Sequence, residues 1–235
     1  MVISASEREQ STRAVLVEAQ RLHWRKPVSA TTLRRDGHRW TLWTVGVAIT
    51  FGLPSVVLLL LSPWTLPAAL LWSGHGIAIL LMQPRRGVRA IVAIGSERSA
   101  GRLTGANPKA ESVALGLLGD LVGHDQRQLL QRTGLALHKG DLGVWLVGER
   151  GALMVRPGGR RVDARCVRVA EPDELPAADR VAHLLLALRE DESGFATVAN
   201  LNFSGSTWRC RRPMPSRERP ALDKARAVAR QMITA

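Results

Sequence analysis

The sequence predicts an α+β fold in which a two-helix transmembrane hairpin precedes a domain of three helices and a mostly antiparallel sheet. Three observations carry that expectation. No Asp, Glu, Lys or Arg occurs from Trp40 to Pro84. Beyond Pro108, apolar residues fall either at helical spacing or in short runs bounded by Gly-rich turns. Charge is confined to the flanks: residues 1–39 hold eight basic and four acidic side chains, and residues 85–235 hold 25 and 16.

The first segment, 1–39, reads as an N-terminal helix over residues 4–26 followed by a basic linker. Ser4 with Glu7, or Ser6 with Glu9, suits a capping box, and Pro27 ends the helix. The uncharged stretch 40–84 comes next. One straight helix of that length would run roughly 68 Å, against a hydrocarbon core of about 30 Å. Two spans fit, at about Trp40–Leu61 and Thr65–Met82, broken at Ser62-Pro63-Trp64-Thr65. Trp40 and Trp43 then mark one interface and Trp64 the other. Arg34, Arg35 and Arg39 precede the hairpin, Arg85, Arg86 and Arg89 follow it, and its turn is uncharged. The positive-inside rule places both flanks in the cytoplasm. The expected location is therefore the inner (plasma) membrane, multi-pass, with both termini cytoplasmic. A buried hairpin of a soluble protein is the competing reading. His75 lies within the second span without an acidic partner and is expected to stay neutral, bonded to Thr50 or a carbonyl freed beside Pro54.

Residues 85–108 read as a basic flexible linker, with Ala90–Ile94 either a short strand or a frayed helix end. The domain at 109–235 opens on a helix from Asn107-Pro108 to about Arg132, with Val113, Leu117, Leu121 and Leu129 or Leu130 on its buried face and Gly134 just past its end. Asp120 and His124 are placed on one face of that helix. Strands follow at Leu135–His138, Gly143–Gly148, Ala152–Arg156 and Arg160–Val169, with turns at Glu149-Arg150-Gly151 and Pro157-Gly158-Gly159. Val181, Leu184, Leu185 and Leu188 mark the second helix, and Leu222, Ala225, Ala229 and Met232 the third. Between them, Phe195–Phe203 and Ser206–Arg211 read as a second hairpin.

Composition narrows function without naming a reaction. The formal net charge is +13, Lys accounts for four of the 33 basic residues, and Tyr is absent, a usage that fits a high-GC bacterial genome. Such a balance favours anionic partners. Cys166 and Cys210 make no disulfide framework, and none of the six histidines pairs at a zinc-ligand spacing. No catalytic residue, metal or other cofactor is expected. The anionic-partner candidates are Arg160, Arg161, Arg165 and Arg168 in one cluster and Trp208, Arg209 and Arg211 in another, able to hold either lipid or nucleic acid. The expected role is a non-catalytic adaptor or accessory subunit of a membrane assembly, with the lipid bilayer and a protein partner or second copy as partners.

The stretch "LGVWLVGERGALMVRPGG" resembles the central hairpin of nuclease-related (NERD) domains, whose core is restriction-endonuclease-like. That family carries an acid at the start of the first strand and an acid and a lysine at the end of the second. The corresponding positions are about Gly143, Arg156 and Gly158. The resemblance therefore implies an inactive relative. The alternative function is a membrane-tethered nucleic-acid-binding or nuclease-like protein, with Asp141 and Glu149 the nearest acids to hold a metal.

Overall fold

The computed structural model describes residues 27–96, 108–167 and 175–233. The N-terminal helix expected over residues 4–26, Asn107 and Arg168 lie outside them.

Helix α1 spans Ala30–Leu61, starting ten residues before the expected span. A capping box explains the early start: the Ser29 side chain accepts from the Thr32 backbone, and Thr32 returns a bond to the Ser29 N–H at 2.6 Å. The segment 30–39 is thus helix rather than linker. At the far end Ser62 leaves the helix in an extended conformation, and Pro63–Thr65 form one 3₁₀ turn. Helix α2 then spans Leu66–Ala90, with Pro67 near its start. The break falls where proline chemistry placed it, but α2 runs on through Arg85, Arg86 and Arg89. At ~1.5 Å per residue α1 and α2 are roughly 48 and 38 Å long. Both are long and apolar enough to cross a membrane, and only 6% and 11% of their most apolar windows are buried.

Residues 91–94 are neither strand nor frayed end nor flexible linker. They form a buried connecting segment. The N–H of Ile94 donates to Gly134 at 2.9 Å, and that of Glu149 to Val92 at 2.8 Å. The expected single helix is two, α3 (Pro108–Val122) and α4 (His124–Thr133), broken at Gly123, whose φ of 83° a side chain would oppose. The buried face of α3 is also one residue out of phase with expectation. Ala114, Leu118 and Val122 are inside, while Val113 and Leu117 are exposed. Both stripes are apolar, so spacing alone did not separate them. The break separates Asp120 from His124, and Asp120 pairs with Arg127 instead.

Strands β1 (Ala136–Lys139), β2 (Val144–Gly148), β3 (Gly151–Val155) and β4 (Arg161–Cys166) form a meander, and β5 (Asn200–Ser206) completes a five-stranded sheet in sequential order. Every pairing is antiparallel. β2 and β3 are buried throughout, which explains their unbroken apolar runs. Alternate residues serve two cores. Trp145, Val147, Ala152 and Met154 meet α3, α5 (Ala177–Glu190) and α6 (Glu192–Val198). Val144, Leu146, Leu153, Val155 and Phe203 meet α8 (Arg219–Gln231) and the end of α2.

The expected hairpin over Phe195–Arg211 is a helix, a strand and a helix. Asp191 caps α6 by accepting from the Gly194 N–H at 2.7 Å, and after β5 the chain turns into α7 (Thr207–Arg211). The sheet therefore has five strands, not six.

Candidate functional site: the junction of hairpin and domain

Two prolines inside long helices set the chemistry here. A helical proline has no N–H, so the carbonyl four residues before it loses its partner. In α1, Pro54 frees the carbonyl of Thr50, and Trp72 Nε1 from α2 donates to it at 3.1 Å. In α2, Pro84 frees the carbonyl of Leu80, and Arg209 Nη2 from α7 donates to it at 2.8 Å. Each orphan carbonyl is satisfied across an element boundary. His75, the expected donor to Thr50, instead bonds the Leu71 carbonyl of its own helix at 2.9 Å and faces outward.

Arg209 does more than cap Leu80. Its guanidinium lies 5.6 Å from the ring centre of Phe203, and Trp40 of α1 meets the same ring edge-on at 5.8 Å. The backbone of α2 comes so close at Gly87 that a Cβ there would sit 2.6 Å from that of Phe203. One β5 aromatic thus gathers α1, α2 and α7. A second clamp lies at the base of α1, where Arg161 Nη2 donates to the Gly37 carbonyl and, at 2.8 Å, to Thr41 Oγ1. Burial lowers the pKa of Arg161 and Arg209 from the ordinary guanidinium value, with neighbouring Arg156 adding to the effect at Arg161.

The arginines of the two candidate anion-binding clusters have separate fates. Arg160 is exposed in the β3–β4 turn. Arg165 is buried: its Nη1 donates to the Ala196 carbonyl, and its Nε and Nη2 have no partner among the described residues. Burial lowers its pKa, with Asp163 and Asp36 opposing the shift. Asp163 and Arg165 alternate onto one face of β4, where Arg165 reaches the backbone of α6 and Asp36 of α1 acts on its charge. Arg156 grips buried Asp163 with two bonds of 2.7 and 2.9 Å. Arg211 pairs with Asp223 at 3.1 Å, which raises its pKa. Trp208 is 62% exposed.

The hairpin-flank residues Arg34, Arg35, Arg39, Arg85, Arg86 and Arg89 are exposed at the domain end, with Trp43 beside them and Trp40 half-buried. Trp64, 93% exposed, marks the turn. Beside the junction, Leu80, Leu81, Arg85, Trp208 and Arg212 line a cleft of about 450 Å³. Arg212 belongs to the basic cluster beside Trp208 in the sequence, but the cleft itself depends on α7 folding back against α2.

The metal-holding pair of the nuclease-like alternative is not formed. Asp141 lies in the bend before β2 and Glu149 in the turn after it, so the strand, five residues at ~3.3 Å each and roughly 17 Å long, separates them. Glu149 is buried against Arg180 at 2.8 Å, and no cluster of three metal-ligating side chains occurs among the described residues.

Comparison with protein families, curated proteins and solved structures returned no match.

Proposed function

We propose that α1 and α2 are a transmembrane hairpin that anchors a basic domain at the cytoplasmic face of a bacterial inner membrane, where the domain acts by binding as an adaptor or accessory subunit. The observation that carries the anchor is the small buried share of both long apolar helices, 6% and 11% of their most apolar windows. A core helix of a soluble protein would be mostly buried. Side chains such as Leu60, 81% exposed, find their natural environment in lipid. The end of the hairpin that carries the six exposed arginines is also the end that carries the domain, so the positive-inside rule puts both chain termini in the cytoplasm.

The binding role rests on the domain's outer surface. Val113 and Leu117 form an exposed apolar stripe on α3, suited to a protein partner or a second copy. The nucleic-acid alternative finds less support, because Arg161, Arg165, Arg209 and Arg211 are spent on internal contacts.

A reporter active only in the periplasm, fused after Arg102, is expected to stay silent while one fused after Trp64 is active. Activity at Arg102 would overturn the topology. Co-purification of the full chain from native membranes in mild detergent tests the adaptor role. A stoichiometric protein that survives high salt supports it, and recovery of the chain alone refutes it.

A further inference from the structure

The cleft between α2 and α7 has two chemically distinct linings. Leu80 and Leu81 of α2 supply an apolar wall continuous with the hairpin surface, Arg85, one turn further along α2, and Arg212 at the end of α7 supply cations, and Trp208 lines the cleft with them. Arg209 also borders the cleft, but the Leu80 carbonyl and the Phe203 ring hold it. Arg85 and Arg212 are exposed and appear in no ion pair or side-chain hydrogen bond among the described residues. Among the described residues, no acidic side chain lines the cleft. A ligand complementary to both linings carries an anionic head and a hydrocarbon tail.

Resting on the membrane-anchor reading above, we infer that this cleft binds one anionic phospholipid. Its headgroup phosphate sits between Arg85 and Arg212, its glycerol region lies against Trp208, and one acyl chain runs along Leu80 and Leu81. Guanidinium groups match phosphate oxygens with paired N–H donors, and Trp suits the boundary between head and tail. A basic pocket beside spanning helices on the cytoplasmic side is the geometry that selects anionic lipid over zwitterionic lipid. A free phosphate would use only the arginines and leave the apolar wall empty.

The test uses the full chain in nanodiscs of phosphatidylcholine with a quarter phosphatidylglycerol, followed by native mass spectrometry of the lipid retained on release. Wild type is expected to retain phosphatidylglycerol in preference to phosphatidylcholine. Each arginine near an anionic surface is worth about fivefold in affinity, so the R85Q/R212Q pair should reduce retention roughly thirtyfold. Both side chains are exposed, so the variant keeps its fold. Trp208→Ala should weaken retention severalfold with the charge unchanged.

Equal retention of the two lipids by wild type, or undiminished retention by R85Q/R212Q, would overturn the proposal. So would displacement by glycerophosphoglycerol or a single-stranded oligonucleotide as effective as by intact phosphatidylglycerol, since the cleft would then take an anion without its chains. Alkaline carbonate extraction separates this from the parent reading. Both chains should stay with the membrane, and extraction of wild type would remove the anchor and this proposal with it.

Discussion

Arg209→Met asks whether the carbonyl freed by Pro84 is what joins the domain to α2. Methionine keeps much of the stem's volume but removes the donor. Arg209 Nη2 lies 2.8 Å from the Leu80 oxygen, and its guanidinium is 5.6 Å from the Phe203 ring centre. A hydrogen bond from a charged donor contributes about 1.5–3 kcal/mol, and a partly buried cation–π contact about 0.5–2. The combined loss is therefore about 2–5 kcal/mol. In a chain of this size that lowers Tm by roughly 4–20 °C. Pro84→Ala returns an N–H to position 84, which then donates to Leu80 within the helix. On that background Arg209→Met loses only the ring contact, about 1 kcal/mol. The assay is thermal unfolding of the four chains of this double-mutant cycle, in one detergent and at one pH. A coupling of about 1.5–3 kcal/mol, the share of the hydrogen bond, is expected. Additivity within about 0.5 kcal/mol would refute the reasoning, because Arg209 would then owe nothing to the missing proline N–H.

Trp72→Phe keeps the ring beside Phe51, whose centre lies 5.5 Å away, but strips the donor from the Thr50 carbonyl; it should cost about 1–3 kcal/mol, and Pro54→Ala should recover most of that in the same unfolding assay. Gly87→Ala forces a Cβ to within 2.6 Å of Phe203 and should destabilise by about 1–3 kcal/mol, whereas Gly74→Ala meets nothing within 4 Å and should not; equal Tm values for the two would contradict the packing. Arg180→Met leaves the buried Glu149 carboxylate without its 2.8 Å partner and should cost about 3–5 kcal/mol in chemical denaturation. Burial and then Arg189 lower the pKa of His138, against the pull of Glu192, so the native state favours the neutral ring. Its contribution is complete above the unfolded value of about 6.5 and is lost as pH falls through the lower folded value. His138→Gln should flatten that part of the Tm–pH curve, and an unchanged curve would remove His138 as its source.

Much of the fold was legible because local chemistry decided it. Ser62-Pro63 had to end α1, Gly134 had to end α4, and the twin apolar runs around Glu149-Arg150 had to be the centre of a sheet. The misreadings share a physical cause. The Phe195–Arg211 stretch has the short, apolar, glycine-punctuated pattern of two strands, but α6, started by the Asp191 cap, runs into it. The stripe of α3 was read one residue out of phase because either face would serve. The arginine clusters carry the charge density of a surface, which says nothing about which carbonyl or carboxylate waits across the fold. Arg165 ends on the backbone of α6, and Arg161 ends on the backbone of α1.

The prolines show where the sequence held more than was drawn from it. Pro54 and Pro84 each announce one unpaired carbonyl at a known position, Thr50 and Leu80. A hairpin in an apolar medium must supply a donor at each. The donors present within reach of such sites are few: Trp72 and His75 near the first, arginines near the second. Choosing Trp72 over His75 needed the rotation of α2 about its axis, and choosing Arg209 needed α7 to lie across Pro84. Both follow from the close approach of α2 to Phe203 at Gly87, which fixes that rotation against β5. The same helix thus carries the apolar hairpin surface, the proline-freed carbonyl and the sheet contact without an intervening linker. Whatever occupies the cleft beside Arg85 touches an element that is continuous with the domain's core.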